Sequence, residues 1–599
     1  MSSSSSVPND MSVPHSKPLF QLYRHLSPRR RGQAWVLLAF MLVGAVAEVA
    51  TIGAVLPFLA LIADPNGIDR FPRLAAALPM LGLSRGQDLL IPAAVGFVSI
   101  AAIAALIRLT LMWYSQKFVF RLGYDIGTAV YRELLYKPYS YHIAHNSSEI
   151  VSAIQKVQNV VTNMLMPVIQ GITATVIALF VLVGLMLVSP GVAFGAAVGF
   201  GLIYVCVAVV TKRQMWRSSR VVAQSATLRI KTVQEGVGAI RDVILDHAQD
   251  IYLSKFSRVD TRLRDAQAHI AFNAAAPRFV VEAAGMMLIA GLAVALSYGR
   301  GGLAEALPVL GVLAIGAQRL LPLLQQMYAG YVQLVGQRQT LIDVLGMLPA
   351  DPSARRERRS TTPPMPFRQA LTFEGVGFRF AADAPLVLRG IDLTICKGAR
   401  IGFIGKTGSG KSTIMDLAMG LLSPTEGRIM IDGILLDGEA RRGWQAQVAH
   451  VPQSIYLSDT SILENIAFGM ADGEADLKRA KAAAVKADIA DFIESLPERY
   501  ATEIGERGVR LSGGQRQRLG IARALYKQAS VLVFDEATSA LDDATEASVM
   551  KAIEGLSDDL TILIIAHRLS TLRGCDRIYR LANGVIAQQG SYAEVVEAA

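Results

Sequence analysis

Apolar residues are gathered into six long runs in the first part of the chain. The runs cover residues 34–62, 89–113, 165–188, 192–211, 279–298 and 307–329. Each is as long as the roughly 20 mostly apolar residues that a helix needs to cross a bilayer, or longer. Only short connections join the third run to the fourth and the fifth to the sixth. The pattern therefore predicts six membrane-spanning helices, with both short connections on the same side of the membrane.

The longer connections between the runs are polar and basic. Residues 114–164 and 212–278 are rich in lysine and arginine, and Arg29, Arg30 and Arg31 directly precede the first run. Because lysine and arginine beside membrane spans remain in the cytoplasm, we expect the N-terminus and these connections to be cytoplasmic. Six spans return the chain to that side, so the C-terminal part is predicted to be cytoplasmic too.

The residue pattern divides the chain into domains. Residues 1–17 are rich in serine and proline and are expected to be a disordered tail. Residues 18–349 are predicted to form an all-α membrane domain, which begins with a short amphipathic helix at 18–26. Residues 350–369, with many prolines and like charges, are predicted to be a linker.

Residues 370–599 carry short apolar runs that alternate with helical patterns, which is typical of an α/β domain. The clearest of these runs are residues 371–373, 400–404, 531–534 and 561–565. The fold class is therefore predicted to be multidomain, with an all-α six-helix transmembrane domain fused to an α/β domain.

Composition agrees with a membrane part joined to a soluble part. Of the 599 residues, 52% are hydrophobic, and the net charge is +10. A positive charge would also suit a nucleic-acid-binding protein, but basic residues beside membrane spans account for it, and no nucleic-acid partner is expected. Cys206, Cys396 and Cys575 are far apart and form no CxxC pair, so neither a disulfide framework nor a zinc site is expected.

A glycine-rich loop follows the apolar run at 400–404 and precedes a helical pattern. It matches G-x-x-x-x-G-K-[ST], whose backbone N–H groups curl around phosphates while the helix N-terminus faces them. Its residues are Gly405, Lys406, Thr407, Gly408, Ser409, Gly410, Lys411, Ser412 and Thr413. Lys411 is predicted to reach the β and γ phosphates of ATP, and Ser412 to bind Mg²⁺.

A second apolar run, at 531–534, ends in the carboxylates of Asp535 and Glu536. On its own, such a run is often only a strand end at the surface. Together with the phosphate loop, it indicates a Mg²⁺ ligand in Asp535 and, in Glu536, a general base that orients the attacking water. The sequence therefore predicts ATP hydrolysis that depends on Mg²⁺.

Residues 511–515, Leu-Ser-Gly-Gly-Gln, form a third motif. With the other two, it resembles the signature of ATP-binding cassette (ABC) proteins. In that family, the signature of one subunit closes over the ATP held by the other. The resemblance implies that Ser512, Gly513, Gly514 and Gln515 bind the γ-phosphate across a dimer. The chain carries one cassette with intact motifs, which favours a homodimer.

Further positions match the family's pattern in order. The resemblance implies that Gln453 senses Mg²⁺ and the attacking water, that Asp542 lies in a loop coupling the two sites, and that His567 contacts the γ-phosphate. A lone histidine after an apolar strand is otherwise often a core residue. Family members usually stack adenine on a tyrosine, and Phe380 takes that place here. The alternative for Phe380 is a core residue.

The membrane part resembles the ABC exporters in which six spans and two long intracellular loops precede the cassette. This resemblance covers nearly the whole chain after residue 18 and implies an ATP-driven exporter in the bacterial inner membrane, among membrane lipids. It also agrees with short helices at the tips of the two loops, predicted at residues 138–146 and 239–247, that dock on the cassette.

Three stretches look closer to one branch of the exporters, the flippases that move lipid-linked oligosaccharides. They are residues 52–59, 276–282 and 319–322. The resemblance implies a polyprenyl-pyrophosphate-linked glycan as cargo. A multidrug or lipid A exporter is the alternative within the family, and an ATP-gated channel or regulatory receptor is the alternative of a different class.

Ionisable residues interrupt the apolar runs at Glu48, Glu282 and Arg319. Such groups are costly at membrane depth and face a cavity or a partner. Arg278 and Glu282 are spaced to pair on one helix. Arg319 either binds a pyrophosphate head group or pairs with Glu48 or Glu282 of another helix. Residues 63–88, outside the membrane, are predicted to carry a short amphipathic helix. This helix either packs on the ends of the spans or guides the cargo.

Overall fold

The structure is a computed structural model that describes most of the chain and divides into two compact units. The described residues are 18–63, 89–188, 190–297, 302–349, 363–471, 473–536, 559–566 and 569–597. A helical unit lies within residues 1–137 and 145–355, and a cassette unit lies within residues 138–144 and 356–599. The predicted tail, and all but the first residue of the predicted outer loop at 63–88, lie outside the described residues.

Long helices make up the first part of the chain. They are α1 (Pro18–His25), α2 (Pro28–Ala63), α3 (Leu90–Leu135), α4 (Tyr139–Ala144), α5 (Ser147–Val160), α6 (Met166–Val188), α7 (Pro190–Gly238), α8 (Ile240–Leu245), α9 (Gln249–Ser297), α10 (Gly302–Gly336) and α11 (Arg338–Gly346). A π-helical turn, Val161–Leu165, joins α5 to α6. The short helices predicted at residues 18–26, 138–146 and 239–247 are confirmed as α1, α4 and α8.

Within the described residues, four stretches are long and apolar enough to cross a membrane, judged by length and composition. They are Pro28–Val55, Leu90–Leu135, Ser147–Met186 and Ala197–Gly238. The predicted fifth and sixth spans lie in α9 and α10, and their crossing stays a prediction. The α3 helix has 46 residues, so it is about 69 Å long at 1.5 Å per residue. Because the hydrocarbon core is roughly 30 Å thick, α3 extends well beyond it, as the basic pattern predicted.

Polar contacts fasten α1 and the start of α2 to the rest of the helical unit. The Nε2 atom of His25 lies 3.1 Å from the carbonyl oxygen of Pro349, close to the end of this unit. Arg30 of α2 donates to both carboxylate oxygens of Asp125 on α3, at 2.6 and 3.1 Å. Leu22 is buried beneath these contacts. The N-terminal helix is therefore part of the packed unit.

The α6 and α10 helices approach each other so closely that neither has room for a side chain at the crossing. A Cβ on Gly330 would lie 2.7 Å from the carbonyl oxygen of Pro167, and a Cβ on Gly171 would lie 3.3 Å from that of Gln326. Small residues allow helix backbones to pack in this way within a membrane. The crossing therefore depends on glycine at both positions.

Two sheets form the framework of the cassette unit. Their strands are β1 (Ala370–Phe378), β2 (Leu388–Cys396), β3 (Arg400–Gly405), β4 (Glu426–Ile431), β5 (Ile434–Leu435), β6 (Val448–Val451), β7 (Val531–Asp535), β8 (Thr561–Ile565), β9 (Arg577–Ala582) and β10 (Val585–Gly590). The antiparallel sheet has the order β2-β1-β4-β5. The larger sheet has the order β10-β9-β3-β8-β7-β6 and is parallel from β9 to β6. The strands predicted at the four apolar runs are confirmed as β1, β3, β7 and β8.

Helices pack around the larger sheet and complete the cassette. They are α12 (Lys411–Ala418), α13 (Gly438–Ala446), α14 (Ile462–Ile466), α15 (Leu477–Lys486), α16 (Ala490–Ser495) and α17 (Gly513–Lys527). The β7 and β8 strands are almost entirely buried, which explains why they read as continuous apolar runs. Because β3, β8 and β7 are parallel neighbours, the loops that follow β3 and β7 lie at one edge of the sheet.

Part of the predicted linker 350–369 packs on the cassette. The backbone N–H of Met365 donates to the carbonyl oxygen of Gly443 at 3.0 Å. The ring of Phe367 packs edge-on against Trp444 with centroids 5.2 Å apart. These two residues therefore attach the start of the cassette to α13. The prolines and charges around them in the sequence had predicted an unpacked linker instead.

Replacing Gly330 with alanine is expected to destabilise the helical unit by about 1–3 kcal/mol, because the added Cβ must displace backbone atoms. Gly53, which has open space around it, is the matched control. Gly53→Ala is expected to be neutral or stabilising, since alanine favours helix over glycine by about 1 kcal/mol. The measurement is the melting temperature of the full chain in detergent. A Gly330→Ala protein that melts at or above the temperature of Gly53→Ala would contradict this packing.

Candidate functional site

The phosphate loop leaves the end of β3 through backbone conformations that favour glycine. Gly405, Gly408 and Gly410 have φ angles of +148°, +83° and +103°. A Cβ on Gly410 would lie 2.5 Å from a methyl group of Leu388. The loop then enters α12 at Lys411. The strand–loop–helix context that the sequence predicted is therefore confirmed.

Two side chains in this loop suit an anion. The Nζ atom of Lys411 donates to the carbonyl oxygens of Gly405 and Lys406, at 2.8 and 3.2 Å, so it curls back over the loop. The Oγ atom of Ser409 is buried and has no hydrogen-bond partner among the residues that the structure describes. An amine, an unpaired hydroxyl and a helix N-terminus around one loop fit the phosphates of a nucleotide.

The end of β7 supplies a carboxylate beside the loop. The hydroxyl of Ser412 hydrogen bonds to Asp535. Burial, followed by the charge of Glu536, raises the pKa of Asp535, while Ser412 and Lys411 oppose the rise. Hydroxyl and carboxylate oxygens are ligands that Mg²⁺ accepts, so Ser412 and Asp535 fit the predicted metal site.

Gln453 and Glu536 are in direct contact. The Nε2 atom of Gln453 donates to Oε2 of Glu536 at 2.7 Å. Glu536 has a φ of +51°, a left-handed conformation that is costly for a residue with a side chain and that concentrates at functional sites. The structure thus brings together the two residues that the sequence assigned to the attacking water.

A carboxyl group that the sequence analysis missed lies behind the phosphate loop. Asp416 is on α12, one helical turn after Ser412. Burial, followed by the charge of Asp535, raises the pKa of Asp416 to about 6. Burial and then the charge of Asp416 also raise the pKa of Tyr139 on α4. Asp416 therefore interacts with both the metal-site carboxylate and the loop-tip helix. Its position four residues after Ser412, on the same face of the predicted helix, was the signal that could have found it.

Of the remaining predicted site residues, the structure describes Phe380 but neither Asp542 nor His567. Phe380 is 54% exposed, and its ring meets Phe378 edge-on with centroids 4.9 Å apart. Its exposure disfavours the core alternative and leaves the ring open for stacking. Asp542 and His567 lie outside the described residues, and their roles stay predictions.

The signature motif forms the start of α17. The Oγ atom of Ser512 accepts from the backbone N–H of Gln515 at 3.2 Å, and the backbone N–H of Ser512 donates to Oε1 of Gln515 at 2.8 Å. This reciprocal cap fixes the helix N-terminus, which includes Gly513 and Gly514. An exposed Ser512 and a fixed helix N-terminus suit an anion brought from outside the chain.

Charged side chains also meet inside the helical unit. Glu48, whose side chain is 8% exposed, accepts from Nη1 of Arg108 at 3.0 Å and from Nη1 of Arg319 at 2.7 Å. The two arginine side chains remain 40% and 39% exposed. The alternative in which Arg319 pairs with Glu48 is thus confirmed, and Arg278 pairs with Glu282 at 2.6 Å as expected. Among the described residues, two guanidinium groups on this one carboxylate leave an excess of positive charge.

Arg108 is the member of this charge cluster that the sequence analysis missed. It is the one ionisable residue in the apolar run at 89–113. Its Nε atom also lies 3.3 Å from the carbonyl oxygen of Ala104. Its isolation among apolar residues was the signal that could have identified it, because a charge at membrane depth needs a partner or a function.

Comparison with known proteins agrees with this site. A family model described as "ABC transporter" matches residues 388–539. An ATP-dependent lipid A-core flippase of Cupriavidus metallidurans is 43% identical over 230 residues, which cover 38% of this chain and 39% of that relative. A heterocyst differentiation ATP-binding protein of Nostoc is 41% identical over 231 residues, 38% of this chain and 37% of that relative. The chain thus matches these relatives over about two fifths of their length.

Two further comparisons extend over nearly the whole chain. An ATP-dependent lipid A-core flippase of Chromobacterium violaceum is 30% identical over 595 residues, 97% of this chain and 96% of that relative. A solved structure of a bacterial Atm1-family ABC exporter with ATP bound superposes with a TM-score of 0.73 and 25% identity, over 95% of this chain and 96% of that one.

The fold and the site define a nucleotide-binding cassette joined to a helical membrane domain. The similarity covers both parts and runs through the full length of a relative. The chain therefore belongs to the ABC exporters, as a half-transporter with one membrane domain and one cassette. The predicted family and fold class are confirmed.

Replacing Glu536 with glutamine is expected to reduce ATP hydrolysis by about 10²–10⁴-fold, because the residue predicted to be the general base is lost. ATP binding is expected to persist, since Lys411, Ser412 and Asp535 remain. The measurement is phosphate release, alongside equilibrium binding of a fluorescent ATP analogue. Glu439→Gln, at an exposed position of α13, is the matched control. Near-normal hydrolysis by Glu536→Gln would show that another group is the base.

Replacing Asp416 with asparagine is expected to raise the melting temperature at pH 7.5 more than at pH 5. The pKa of Asp416 is raised to about 6 from 3.8, so its native state favours the protonated form. The carboxyl's destabilising effect is therefore fully present above pH 6 and fades as the pH falls toward 4. Asp383→Asn, in an exposed loop, is the control. An equal shift at both pH values would contradict the burial of a charged Asp416.

Proposed function

We propose that this chain forms a homodimeric, ATP-driven flippase in the bacterial inner membrane. Its proposed cargo is a lipid with an anionic, glycan-bearing head group, foremost a polyprenyl-pyrophosphate-linked oligosaccharide. The observation that carries the proposal is an excess of positive charge inside the helical unit of an ABC exporter, where Arg108 and Arg319 share Glu48. The cassette supplies the energy, and the cluster attracts an anionic group to membrane depth.

The proposed hydrolysis follows from the contacts around the phosphate loop. Lys411 would leave its carbonyl partners to bind the β and γ phosphates. Ser412 and Asp535 would hold Mg²⁺, which would supply positive charge beside those phosphates. Glu536 accepts the proton of the attacking water. Gln453, hydrogen-bonded to Glu536 at 2.7 Å, keeps that carboxylate in position. The family resemblance implies three further roles, which we retain. The γ-phosphate is contacted by His567, the loop that couples the two sites contains Asp542, and adenine stacks on Phe380.

The proposed dimer is supported by surfaces that a single chain leaves uncovered. The cap residue Ser512 is exposed. On α8, at the tip of the second long loop, Ile240, Ile244 and Leu245 are exposed as well. Exposed apolar side chains at a loop tip suit a docking surface, whereas α4, at the tip of the first loop, belongs to the cassette unit of its own chain. We assign the second tip to the partner's cassette.

Coupling between cassette and membrane domain is proposed to run through α4. This helix groups with the cassette unit, and Tyr139 interacts electrostatically with Asp416. Asp416 in turn interacts with Asp535. A change of charge at Asp535 would therefore alter the pKa of Asp416, the carboxyl group whose charge raises the pKa of Tyr139 on α4. This path links the nucleotide site to the first intracellular loop.

The proposed cargo matches the chemistry of the charge cluster. Guanidinium groups bind phosphate oxygens through paired hydrogen bonds. Arg108 and Arg319 each give one Nη1 to Glu48 and keep about two fifths of their side chains exposed. Because the carboxylate holds both arginines in place, a phosphate would meet guanidinium groups that are already oriented.

A lipid A-core glycolipid is the second candidate cargo. The relatives from Cupriavidus and Chromobacterium carry that function in their names. Lipid A also bears phosphate groups and sugars, so the same cluster suits it. The cassette does not separate the candidates, because it is similar to a heterocyst differentiation protein as well.

Mixed dimers test whether each ATP site is shared between chains. In the trans arrangement, one chain carries Ser512→Arg and the other Lys411→Ala, so a shared geometry places both changes in one site and spares the other. In the cis arrangement, one chain carries both changes and the other none, so both shared sites are damaged. We expect ATP hydrolysis to be higher in the trans dimer. Higher hydrolysis in the cis dimer would show that each site lies within one chain.

Replacing Arg319 with glutamine is expected to lower lipid translocation roughly ten-fold, since a hydrogen bond to a charged group is worth about 1.5–3 kcal/mol. Arg278→Gln, which removes a pair outside the cluster, is the matched control. The measurement is head-group translocation in proteoliposomes, with a polyprenyl-pyrophosphate glycan in one arm and a lipid A-core glycolipid in the other. Translocation of lipid A alone would replace the first cargo by the second. An equal loss of translocation in Arg319→Gln and Arg278→Gln would contradict a role of the charge cluster in binding the cargo.

A further inference from the structure

A wholly apolar groove runs between α2 and α3. Its volume is about 460 Å³, within the roughly 300–1,000 Å³ of small-molecule sites. Its walls include Leu42, Val46 and Ala50 of α2 and Ile100, Ile103 and Ile107 of α3. These residues recur at helical spacing, so each helix contributes one continuous stripe. From residue 42 to residue 50, the α2 stripe is about 12 Å long.

The groove lies at membrane depth and adjoins the charge cluster. Both walls belong to stretches that are long and apolar enough to cross a membrane. Arg108 directly follows Ile107, and its Nε atom lies 3.3 Å from the carbonyl oxygen of Ala104, which also lines the groove. Its Nη1 atom lies 3.0 Å from Glu48, next to the groove residue Ala47. The positively charged cluster of Arg108, Arg319 and Glu48 therefore lies beside the apolar groove.

This combination complements one kind of molecule. A peptide or a sugar in the groove would lose hydrogen bonds against apolar walls, which costs free energy. An uncharged hydrocarbon would fill the groove but would not use the cations. A lipid with an anionic head group places its tail against the stripes and its phosphate at Arg108, so both features are satisfied at once.

We infer that the groove between α2 and α3 holds the head-proximal part of the apolar tail of the transported anionic lipid, with its phosphate at Arg108 and Arg319. This inference rests on the proposed function and adds tail recognition to it. The transporter then selects its cargo by the tail as well as by the head group. Shortening the tail below the length of the groove should weaken transport even when the head group is unchanged.

Filling the groove tests the inference. Ala50→Trp places an indole against the stripe, and Val205→Trp places one at an exposed position of α7 that is not among the groove-lining residues. Proteoliposomes receive the same pyrophosphate-linked glycan on a long polyprenyl chain or on a single isoprene unit, whose four-carbon backbone is much shorter than the groove. We expect Ala50→Trp to lower the ratio of long-chain to short-chain transport roughly ten-fold, as for about two methylenes no longer buried. Val205→Trp should keep the wild-type ratio.

Photolabelling keeps the inference testable if Ala50→Trp fails to fold. A long-chain polyprenyl pyrophosphate with a diazirine in its first isoprene units should label wild-type peptides that contain residues 42–50 and 100–107. Unlabelled long-chain cargo should compete, and phosphatidylglycerol should not. Competition by phosphatidylglycerol would assign the groove to a bilayer lipid and overturn the inference. A Val46→Cys protein that forms a disulfide between two copies would assign the groove to the dimer interface and overturn it as well.

Failure of the proposed function and failure of the groove assignment give different results in this experiment. Wild-type protein that moves neither the long-chain nor the short-chain lipid would overturn the proposed function, and the inference with it. Wild-type protein that moves both, with a ratio that Ala50→Trp leaves unchanged, would overturn the groove alone.

Discussion

A buried carboxylate inside an apolar helix has to be paired, and the arrangement of the helical unit follows from that requirement. Glu48 stands in an apolar stretch of α2 and meets Arg108 of α3 and Arg319 of α10. One carboxylate therefore connects three helices whose surfaces are otherwise mostly apolar, and an unpaired charge there would be strongly unfavourable. Among the described residues, the second arginine exceeds what the neutrality of this cluster requires, and that excess is the reason for proposing that the cluster attracts an anion.

In the cassette, the sheet topology brings backbone donors and carboxylates to one edge of the larger sheet. The β3 and β7 strands flank β8 in parallel, so the phosphate loop and Asp535 follow from the same topology. The loop glycines adopt positive φ without strain, whereas the left-handed Glu536 places backbone strain at this edge. Asp416 places a further carboxyl behind the loop, where it interacts with α4. Nucleotide chemistry and the first intracellular loop thus share one electrostatic environment.

Local sequence patterns predicted much of this structure. They did not predict contacts between residues that are far apart in the sequence. Lys411 and Asp535 were identifiable because a glycine-rich loop and buried strands leave clear signals in neighbouring residues. Arg319 and Glu48 are 271 residues apart, and helical periodicity does not reveal which carboxylate an arginine meets. Arg108 and Asp416 were missed because their surroundings come from other segments of the chain. Met365 and Phe367 likewise looked like linker, since their partners Gly443 and Trp444 lie on α13, far along the sequence.

The central claim is that ATP hydrolysis drives an anionic lipid across the membrane. The most direct measurement is the number of lipid head groups moved per ATP hydrolysed in sealed proteoliposomes, recorded together with ion conductance of the same preparation. A flippase predicts that head groups accumulate in the opposite leaflet only with hydrolysable ATP, without an ion current. An ATP-dependent current without head-group movement would contradict the account and identify a channel.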